Sequence, residues 1–477
     1  MKNKLAIAVL AWLCFIGTKP AFSQAAHRVS VHLEHGAHRL GQRTDPAMAK
    51  WRNYGLGQFI HWGVYAIPGG QWKEKKYPGA AEWIRAWDQM PQADYDSLYL
   101  QFNPKNFDAK AWAKQAKDMG ARYMIITTKH HDGFCLWPSR YTRYTIANSP
   151  YKNDIIKQLV DAYTHEGIDV YLYFSVIDWD HPGYRTEIET KADSLAYDDF
   201  KQFTRNQLLE LLDRYPQTKG LWFDGTWDDA WKQQAEFADK LETEMRNKIP
   251  GLIIGSRFRP DEFGNRHFDA NGDLMGDYEQ GWERKIPENS SQLNGNDWDC
   301  VMTIPNNQWG YDAAWEGHIK SSYELIEMLV KCVSMNGNFV LNFGPDSKGA
   351  IREQETGRAR EIGEWMKLNN PAIYDCGDAG LAKPDWGYYT RNRLSGKIYA
   401  LLFNVPLNGR LRLKCPDKTE IIRASPIGKV EESLAIERIT ATESDIILNS
   451  RPLDKPVVFE IEFKQQKKDP TDDSPKI

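Results

Sequence analysis

The sequence is poor in cysteine, has no excess of positive charge and lacks a long apolar run beyond its first residues. Six cysteines are scattered over 477 residues. Five of them follow residue 23, and this odd number with its wide spacing fits neither a disulfide framework nor a structural zinc site. The formal net charge of −4 argues against nucleic acid or an anionic membrane as the main partner.

The long apolar run, residues 5–16, follows Lys2 and Lys4 and precedes Ala21-Phe22-Ser23. This order is typical of a secretory signal peptide, so residues 1–23 are predicted to be removed. Removal takes Lys+Arg from 61 to 58 against 65 Asp+Glu, which leaves a formal charge of −7. We expect an exported protein, periplasmic or extracellular, without a membrane span, because no later run approaches the roughly 18 apolar residues that a spanning helix needs.

Five short apolar runs between residues 55 and 254 each end in polar residues that could take part in chemistry. Helical patterns separate the runs, and Asp108 and Asn153 are placed to cap two of these helices. Strands that alternate with helices predict parallel βαβ units. The polar residues that follow the runs are His61, His130, His131, Asp178, Asp224 and Arg257.

Functional residues at the carboxyl ends of successive strands are typical of an α/β barrel, in which those ends converge on one mouth. We therefore predict an α/β fold with a (β/α)8-like (TIM-type) barrel over residues 24–370. An open doubly wound sheet is the alternative, although the sequence has no glycine-rich phosphate loop of the dinucleotide or P-loop type.

The chain changes character after residue 370, where short alternating segments replace the helical patterns. Residues 397–403, 410–414 and 457–463 are expected to be strands. They predict a C-terminal antiparallel β-sandwich over residues 371–465, packed on the barrel. Residues 466–477 are charged and contain proline, so we expect a disordered tail there.

Asp224 ends the run Leu221-Trp222-Phe223 and precedes Gly225, which places a carboxylate at the predicted mouth. We interpret Asp224 as a catalytic nucleophile. A solvated aspartate that starts a turn is the alternative for any single Asp-Gly pair. The four further runs of the same form favour the catalytic interpretation.

His130 and His131 can point at one ligand once their strand has ended, and His61 is expected nearby. Imidazoles bind sugar hydroxyls, but imidazole with carboxylate also suits zinc or iron, so a metal site is the rival hypothesis. The chain has 18 tryptophans, which suit the apolar faces of sugars although many must simply be packing residues. The aromatic and acidic candidates beside these groups are Trp72, Glu82, Trp83, Trp179, Trp222 and Trp227.

Five motifs occur in a consistent order between about residues 51 and 368. They are Phe59-Ile60-His61-Trp62-Gly63, Thr128-Lys129-His130-His131-Asp132-Gly133-Phe134, Trp222-Phe223-Asp224-Gly225, Trp309-Gly310-Tyr311, and the stretch from Gly337-Asn338 to Gly344-Pro345. Together they resemble the motifs of the α-L-fucosidases of glycoside hydrolase family 29.

The resemblance implies a barrel followed by a β-sandwich, no metal or other cofactor, and a fucosylated oligosaccharide or glycoconjugate as the substrate. It also implies a retaining mechanism, in which Asp224 forms a glycosyl-enzyme and a second carboxyl donates a proton. The residues implied to hold fucose hydroxyls are His61, Glu82, His130 and His131. Those implied to line the pocket or lie near the nucleophile are Tyr173, Trp72 and Arg257.

The proton donor is the point at which this sequence departs from the family. Many relatives carry Trp-Glu shortly before Trp-Gly-Tyr, whereas this chain has Trp298-Asp299. Aspartate is one methylene shorter than glutamate, and the retaining geometry needs about 5–5.5 Å between the two carboxyls. We expect Asp299 to be the acid/base, with Glu279 and then Glu283 as alternatives.

The departure at Asp299 leaves two alternative functions open. The chain could be an exported sugar-binding protein with weak or lost turnover, or a hydrolase of another galactose-configured pyranoside. Asp224 argues against a pure binding protein, because such a protein gains little from a buried carboxylate beside the anomeric carbon.

Overall fold

The structure is a computed structural model that describes residues 43–86, 90–416, 419–448 and 455–465. The predicted signal peptide, residues 1–23, and the predicted tail, residues 466–477, lie outside the described residues.

The N-terminal part of the chain is built on a parallel eight-stranded sheet. Its strands, with one short hairpin (β2 and β3), are β1 (Leu56–Ile60), β2 (Gln71–Trp72), β3 (Lys75–Lys76), β4 (Tyr123–Lys129), β5 (Asp169–Ser175), β6 (Gly220–Asp224), β7 (Ile253–Ile254), β8 (Glu279–Glu283), β9 (Trp298–Thr303) and β10 (Asn338–Phe343). The order across the sheet is β7-β6-β5-β4-β1-β10-β9-β8, and every neighbouring pair is parallel. The predicted parallel arrangement is confirmed.

The two edge strands of this sheet are also bound to each other. The amide of Asp277 donates to the carbonyl of Ile254 at 2.9 Å, and the amide of Ser256 donates to the carbonyl of Tyr278 at 3.0 Å. These bonds join the chain at the end of β7 to the chain just before β8. The two edges of the sheet therefore meet at these two hydrogen bonds.

Helices follow most of the strands and cover the outer face of the sheet. They are α1 (Pro46–Trp51), α2 (Gln92–Asp96), α3 (Ala109–Met119), α4 (Ile155–His165), α5 (Lys191–Arg214), α6 (Asp229–Lys232), α7 (Ala235–Lys248), α8 (Ser322–Ser334) and α9 (Glu353–Asn369). Asp108 caps α3 as predicted. The predicted cap Asn153 is wrong by one residue, because the side chain of Asp154 accepts the hydrogen bond from the amide of Lys157.

The core of the parallel sheet has two layers. An outer cluster fills the space between strands and helices and includes Leu172, Leu221 and Leu329. A separate inner cluster includes Phe59 of β1, Tyr173 of β5 and Trp222 of β6 together with residues of α1. Successive side chains of a strand point to opposite faces, so β1, β4, β5, β6, β7, β9 and β10 each supply both clusters. The inner cluster supports the residues at the carboxyl ends of the strands.

The C-terminal part of the chain forms two antiparallel sheets. Its strands are β11 (Cys376–Gly377), β12 (Gly387–Asn392), β13 (Ile398–Leu402), β14 (Arg410–Lys414), β15 (Thr419–Pro426), β16 (Ala435–Arg438), β17 (Glu443–Ile447) and β18 (Val457–Gln465). One sheet has the order β11-β12-β13-β18-β15 and the other β14-β17-β16. Side chains from both sheets share one hydrophobic cluster, with Leu402 and Leu411 among its members. The three strands predicted here are confirmed as β13, β14 and β18.

The C-terminal sheets contact the helices of the first part. The indole nitrogen of Trp365 on α9 donates to the carbonyl of Pro456 at 2.9 Å, and Tyr323 on α8 hydrogen-bonds the carbonyl of Phe403. The domain boundary at residue 370 stays a prediction. Among the described residues, no helix is both long enough and apolar enough to cross a membrane.

We predict that Gly220→Ala destabilises the protein, because strand β6 has no room for a side chain at this position. An added Cβ would overlap the ring of Tyr171 and lie 2.8 Å from the carbonyl oxygen of Ile253. Overpacking of this kind costs about 1–3 kcal/mol of unfolding free energy. Urea denaturation measures the loss.

Gly357→Ala on helix α9 is the matched control, because its nearest neighbour would be Arg360 at 3.7 Å. The same methyl group should stabilise this helix by about 0.5–1 kcal/mol. Equal stability changes at the two positions would contradict the steric argument for β6.

Candidate active site

A cavity of about 860 Å³ opens at the carboxyl ends of the parallel strands. Catalytic sites of α/β barrels occupy this face. Its walls combine imidazole, carboxylate, guanidinium and indole groups. The lining residues are His61, Gly79, Ala80, Glu82, Trp83, His130, His131, Asp224, Trp227, Arg257, Glu283, Arg284, Asn307, Gln308, Trp309 and Trp315.

Asp224 is the last residue of β6, and its carboxylate is held by donors on both oxygens. The hydroxyl of Tyr173 donates to Oδ2 at 2.9 Å, and Nη1 of Arg257 donates to Oδ1 at 3.0 Å. Nε2 of His131 lies 3.7 Å from Oδ2. These contacts fix the carboxylate in one orientation at the cavity wall.

The chain turns sharply after this carboxylate. Gly225 has φ +79, and a Cβ there would lie 2.9 Å from the backbone nitrogen of Ile177 and 2.7 Å from its Cγ1. The glycine therefore allows β6 to end against the neighbouring loop while Asp224 stays at the surface of the cavity.

Arg257 links two carboxylates across the cavity. Its Nη2 lies 2.7 Å from Oε1 of Glu283, its Nη1 binds Asp224, and its Nε donates to the carbonyl of Gln280 at 2.9 Å. The guanidinium also lies 4.8 Å from the centre of the Trp222 ring. Burial alone would lower the pKa of Arg257, but the carboxylates of Glu283 and Asp224 raise it above its ordinary value. Arg257 is thus charged and fixed between the two acids.

Three histidines line the cavity in their neutral form. Burial lowers the pKa of His61 and of His131 to about 3, and burial also holds the pKa of His130 well below its ordinary value. Nδ1 of His61 lies 2.6 Å from Oδ1 of Asn342, and Nδ1 of His131 lies 2.6 Å from Oγ of Ser175. A neutral imidazole both donates and accepts, which suits the hydroxyls of a sugar.

Glu82 contributes a buried carboxyl. Its Oε2 accepts a hydrogen bond from the amide of Gly310 at 3.1 Å, and its Oε1 has no partner among the described residues. Burial raises the pKa of Glu82 to about 7, although this backbone hydrogen bond and the charge of Arg284 act in the opposite direction. The Glu82 carboxyl is therefore able to donate or to accept a hydrogen bond near neutral pH.

Indole rings form one wall of the cavity. Trp83 stacks on Trp227 with ring centroids 6.2 Å apart and meets Trp179 edge to face at 5.3 Å. Trp83 also packs against His131 at 5.0 Å. This wall offers an apolar face beside the polar groups, as a pyranose ring requires.

The structure brings most of the predicted site residues together. Tyr173 and Trp222 lie below the cavity and support Asp224 and Arg257, with their rings stacked 5.4 Å apart. Trp72 lies in the β2–β3 hairpin and is not among the lining residues. The predicted residues that line the cavity are His61, Glu82, Trp83, His130, His131, Asp224, Trp227, Arg257 and Glu283.

Asp299 and Glu279, the two leading candidates for the acid, are placed away from the cavity wall. Asp299 is the second residue of β9, pairs in register with Asn338, and is fully buried near Tyr123 and Tyr278. Glu279 is the first residue of β8. Both therefore lie near the amino ends of their strands, whereas the cavity opens at the carboxyl ends.

Glu283, the last residue of β8, is the second carboxylate of the cavity. One sequence signal points to it, because Glu283 follows Trp282 as a Trp-Glu pair. Further lining residues that were not predicted from the sequence are Gly79, Ala80, Arg284, Asn307, Gln308, Trp309 and Trp315. Of these residues, Trp309 belongs to the Trp309-Gly310-Tyr311 motif of the family resemblance, and this motif is the one sequence signal that could have indicated any of them.

The rival metal hypothesis has a geometric basis in this structure. Ligand atoms of His130, His131 and Asp224 lie within 4.8 Å of one another. The Asp224 carboxylate is already bound to the cationic Arg257 and to the Tyr173 hydroxyl. A divalent cation would have to compete with that guanidinium for the same oxygens, so the donor set fits a metal poorly.

Comparison of the sequence with known proteins points to one family. The family model described as alpha-L-fucosidase matches residues 23–371. An alpha-L-fucosidase of Dictyostelium discoideum is 29% identical over 417 residues, which cover 83% of this chain and 86% of that protein. The plasma alpha-L-fucosidase of Homo sapiens is 29% identical over 396 residues, which cover 79% of this chain and 80% of that protein.

Solved structures are similar as well. The crystal structure of a GH29 alpha-L-fucosidase from Bacteroides thetaiotaomicron has a TM-score of 0.88 and 46% identity, covering 91% of this chain and 99% of that one. A covalent intermediate of the Bacteroides protein was trapped with 2-fluoro-fucosyl fluoride in a glutamate-to-glutamine mutant, at the same TM-score, identity and coverage of this chain.

We predict that Glu82 makes the stability of the protein depend on pH. The folded protein keeps a proton on Glu82 up to about pH 7, whereas the unfolded chain releases it near the ordinary pKa of 4.5. The free energy of unfolding should therefore fall as pH rises from about 4.5 to 7, by at most about 3 kcal/mol.

Glu82→Gln should lack this decrease. Urea denaturation of both proteins at pH 5 and pH 8 measures it, with Glu431→Gln at an exposed position as the control for loss of a glutamate. A constant difference between wild type and Glu82→Gln at the two pH values would contradict the prediction.

Proposed function

The chain belongs to the α-L-fucosidase family, glycoside hydrolase family 29, and is a glycoside hydrolase; we propose that it releases terminal α-L-fucose from fucosylated glycans with retention of configuration. The observation that carries this proposal is that Asp224 and Glu283 bind two nitrogens of one guanidinium on the wall of one cavity. Two neighbouring carboxyls are what a retaining glycosidase requires, with a separation of about 5–5.5 Å.

We infer the architecture of a (β/α)8-like barrel followed by a β-sandwich. The eight parallel strands and the hydrogen bonds between β7 and the start of β8 support a closed barrel. The hydrophobic cluster shared by the two C-terminal sheets supports a sandwich. In this architecture the carboxyl ends of β6 and β8 face the same mouth.

In the first step, the Asp224 carboxylate attacks the anomeric carbon while Glu283 gives its proton to the departing glycosidic oxygen. A covalent glycosyl-enzyme on Asp224 results, and the aglycone leaves with the proton. In the second step, Glu283 takes a proton from water, the water oxygen attacks the anomeric carbon, and the bond to Asp224 breaks. Two inversions give net retention, and no metal or cofactor takes part.

We assign the acid/base role to Glu283 instead of Asp299 or Glu279. Glu283 lines the cavity and shares Arg257 with Asp224, whereas Asp299 and Glu279 lie near the amino ends of their strands. The trapped intermediate of the Bacteroides relative, obtained in a glutamate-to-glutamine mutant, is consistent with a glutamate in this role. The reason for expecting weak or lost turnover was the aspartate at position 299, and Glu283 removes that reason.

The neutral histidines and Glu82 are placed to bind the hydroxyls of the fucose ring. His61, His130 and His131 each present imidazole to the cavity. Nδ1 of His130 has no hydrogen-bond partner among the described residues, so it is ready for a ligand hydroxyl. The indole wall of Trp83 and Trp227 is placed to cover an apolar face of the sugar.

We also propose that the protein is exported to the periplasm or beyond the cell. The support is the sequence of residues 1–23, with its basic start, apolar centre and small-residue ending. The five cysteines of the described residues, all buried and free, are compatible with an oxidising compartment because buried thiols are shielded from pairing.

We predict that the purified protein releases phenol from an aryl α-L-fucoside and that Asp224→Asn does not. Replacing the carboxylate removes the nucleophile while the fold stays intact, so the rate constant kcat should fall by at least about a thousandfold. Proton NMR of the released sugar should show α-fucose first. Wild-type rates in a folded Asp224→Asn variant would refute the nucleophile, and β-fucose as the first product would refute retention.

We predict that the cost of Glu283→Gln depends on the leaving group. Loss of the general acid should lower kcat/KM by about 10²–10⁴-fold on a fucosyl disaccharide but much less on an activated aryl fucoside, whose phenol needs little protonation. Comparing kcat/KM on the two substrates measures this difference. Asp299→Asn, which likewise replaces a carboxyl by an amide, should affect both substrates equally, and the reverse pattern would return the acid role to Asp299.

A further inference from the structure

Arg284 stands at the mouth of the cavity, directly after Glu283 at the end of β8. It is exposed, and it forms no salt bridge with any residue in the described parts of the chain. The other lining arginine, Arg257, is buried and bound to two carboxylates. The cavity therefore carries one cation, Arg284, without a carboxylate partner from the described chain.

The guanidinium of Arg284 is nevertheless held in place. It lies 5.6 Å from the centre of the Trp309 ring, and its Nη1 lies 3.5 Å from Oδ1 of Asn307. Both neighbours line the cavity. A cation over an indole ring with an amide beside it keeps its remaining N–H groups for a ligand.

The position of Glu283 shows which part of a substrate would meet Arg284. A general acid must face the bond that it protonates, so the space next to Glu283 and away from Asp224 receives the leaving group. A cavity of about 860 Å³ also exceeds what one monosaccharide fills, which leaves room for that group. Arg284, Asn307 and the buried Gln308 line this side, and Oε1 of Gln308 has no hydrogen-bond partner among the described residues.

The charges of the cavity favour an anion at this place. In the first step Glu283 carries its proton, so Arg257 is balanced by Asp224 alone. Arg284 then remains as an uncompensated positive charge among the groups described here. Burial raises the pKa of Glu82 and the charge of Arg284 lowers it, but Glu82 is buried and bound to the Gly310 amide, and its carboxyl is not ion-paired with Arg284.

Resting on the proposed fucosidase function, we propose that Arg284 is a specificity residue of the leaving-group site and selects aglycones that carry an anionic group, a sulfate ester or a carboxylate, near the fucosidic oxygen. Arg284 binds this anion with its free N–H groups, whereas the free Oε1 of Gln308 can only accept a hydrogen bond and is left for a hydroxyl of the aglycone. The planar guanidinium suits both anions, because each presents two oxygens to it.

The test uses aryl α-L-fucosides whose phenol bears a sulfonate or a carboxylate, each paired with a neutral analogue, the sulfonamide or the carboxamide. In wild type, kcat/KM should be about two to five times higher for the charged fucoside than for its neutral analogue, which is the effect expected of an exposed ion pair. The difference should arise mainly from a lower KM for the charged fucoside. The ratio should decrease as salt is added. A preference for the sulfonate alone or the carboxylate alone identifies which anion the site takes.

Arg284→Gln should bring this ratio close to one, and Arg284→Lys should keep part of it. The control is Lys285→Gln, which removes the next positive charge in the sequence from an exposed residue outside the cavity lining and should leave the ratio unchanged. Circular dichroism verifies that each variant is folded.

Three outcomes would overturn the inference: equal kcat/KM for charged and neutral fucosides in wild type, a preference that survives Arg284→Gln, or an equal loss in Lys285→Gln. Absence of phenol release from every aryl fucoside would instead overturn the fucosidase function and the inference with it. The two failures are therefore distinguishable.

Discussion

The candidate site depends on one buried guanidinium. Arg257 binds Asp224 from the end of β6 and Glu283 from the end of β8, so a single side chain fixes the relative position of two acids from separate strands. Removing one partner of such a buried pair costs about 3–5 kcal/mol, because it leaves an uncompensated charge. The stacked Tyr173 and Trp222 rings below support the same two groups, so the packing of the inner core reaches the catalytic centre.

Burial acts on the three histidines and on Glu82 in the same direction, because it disfavours the charged form of each. The histidines are neutral and Glu82 is close to half protonated near pH 7, because burial disfavours their charged forms. A wall of neutral donors and acceptors suits a neutral sugar, whereas a wall of charged groups would have to give up more water to bind it. In the proposed function, the neutral groups therefore bind the sugar, and Arg257 with its two acids serves the reaction.

The site residues that follow apolar strands were predicted from the sequence. Glu283, which ends the polar strand β8, was named only as the last alternative for the acid. Strands β1, β4, β5, β6 and β7 appear as apolar runs, so His61, His131, Asp224 and Arg257 were found from their positions after those runs. Strand β8 reads Glu279-Gln280-Gly281-Trp282-Glu283, which has no apolar pattern, so no rule marked Glu283 as the end of a strand. The expectation that polar residues after apolar runs belong to the site also selects structural residues. Asp178 follows β5 but is buried in an ion pair with Lys129 at 2.8 Å.

The same guanidinium explains how two acids can exchange roles without a change in local charge. Before the proposed reaction, Asp224 is ionised and Glu283 is protonated, so Arg257 has one anionic partner. In the glycosyl-enzyme, Asp224 is esterified and neutral while Glu283 has lost its proton and is ionised, so Arg257 again has one anionic partner. A fixed cation between the two acids is thus balanced at both stages, and the low-dielectric site does not have to reorganise as the negative charge moves from one carboxyl to the other.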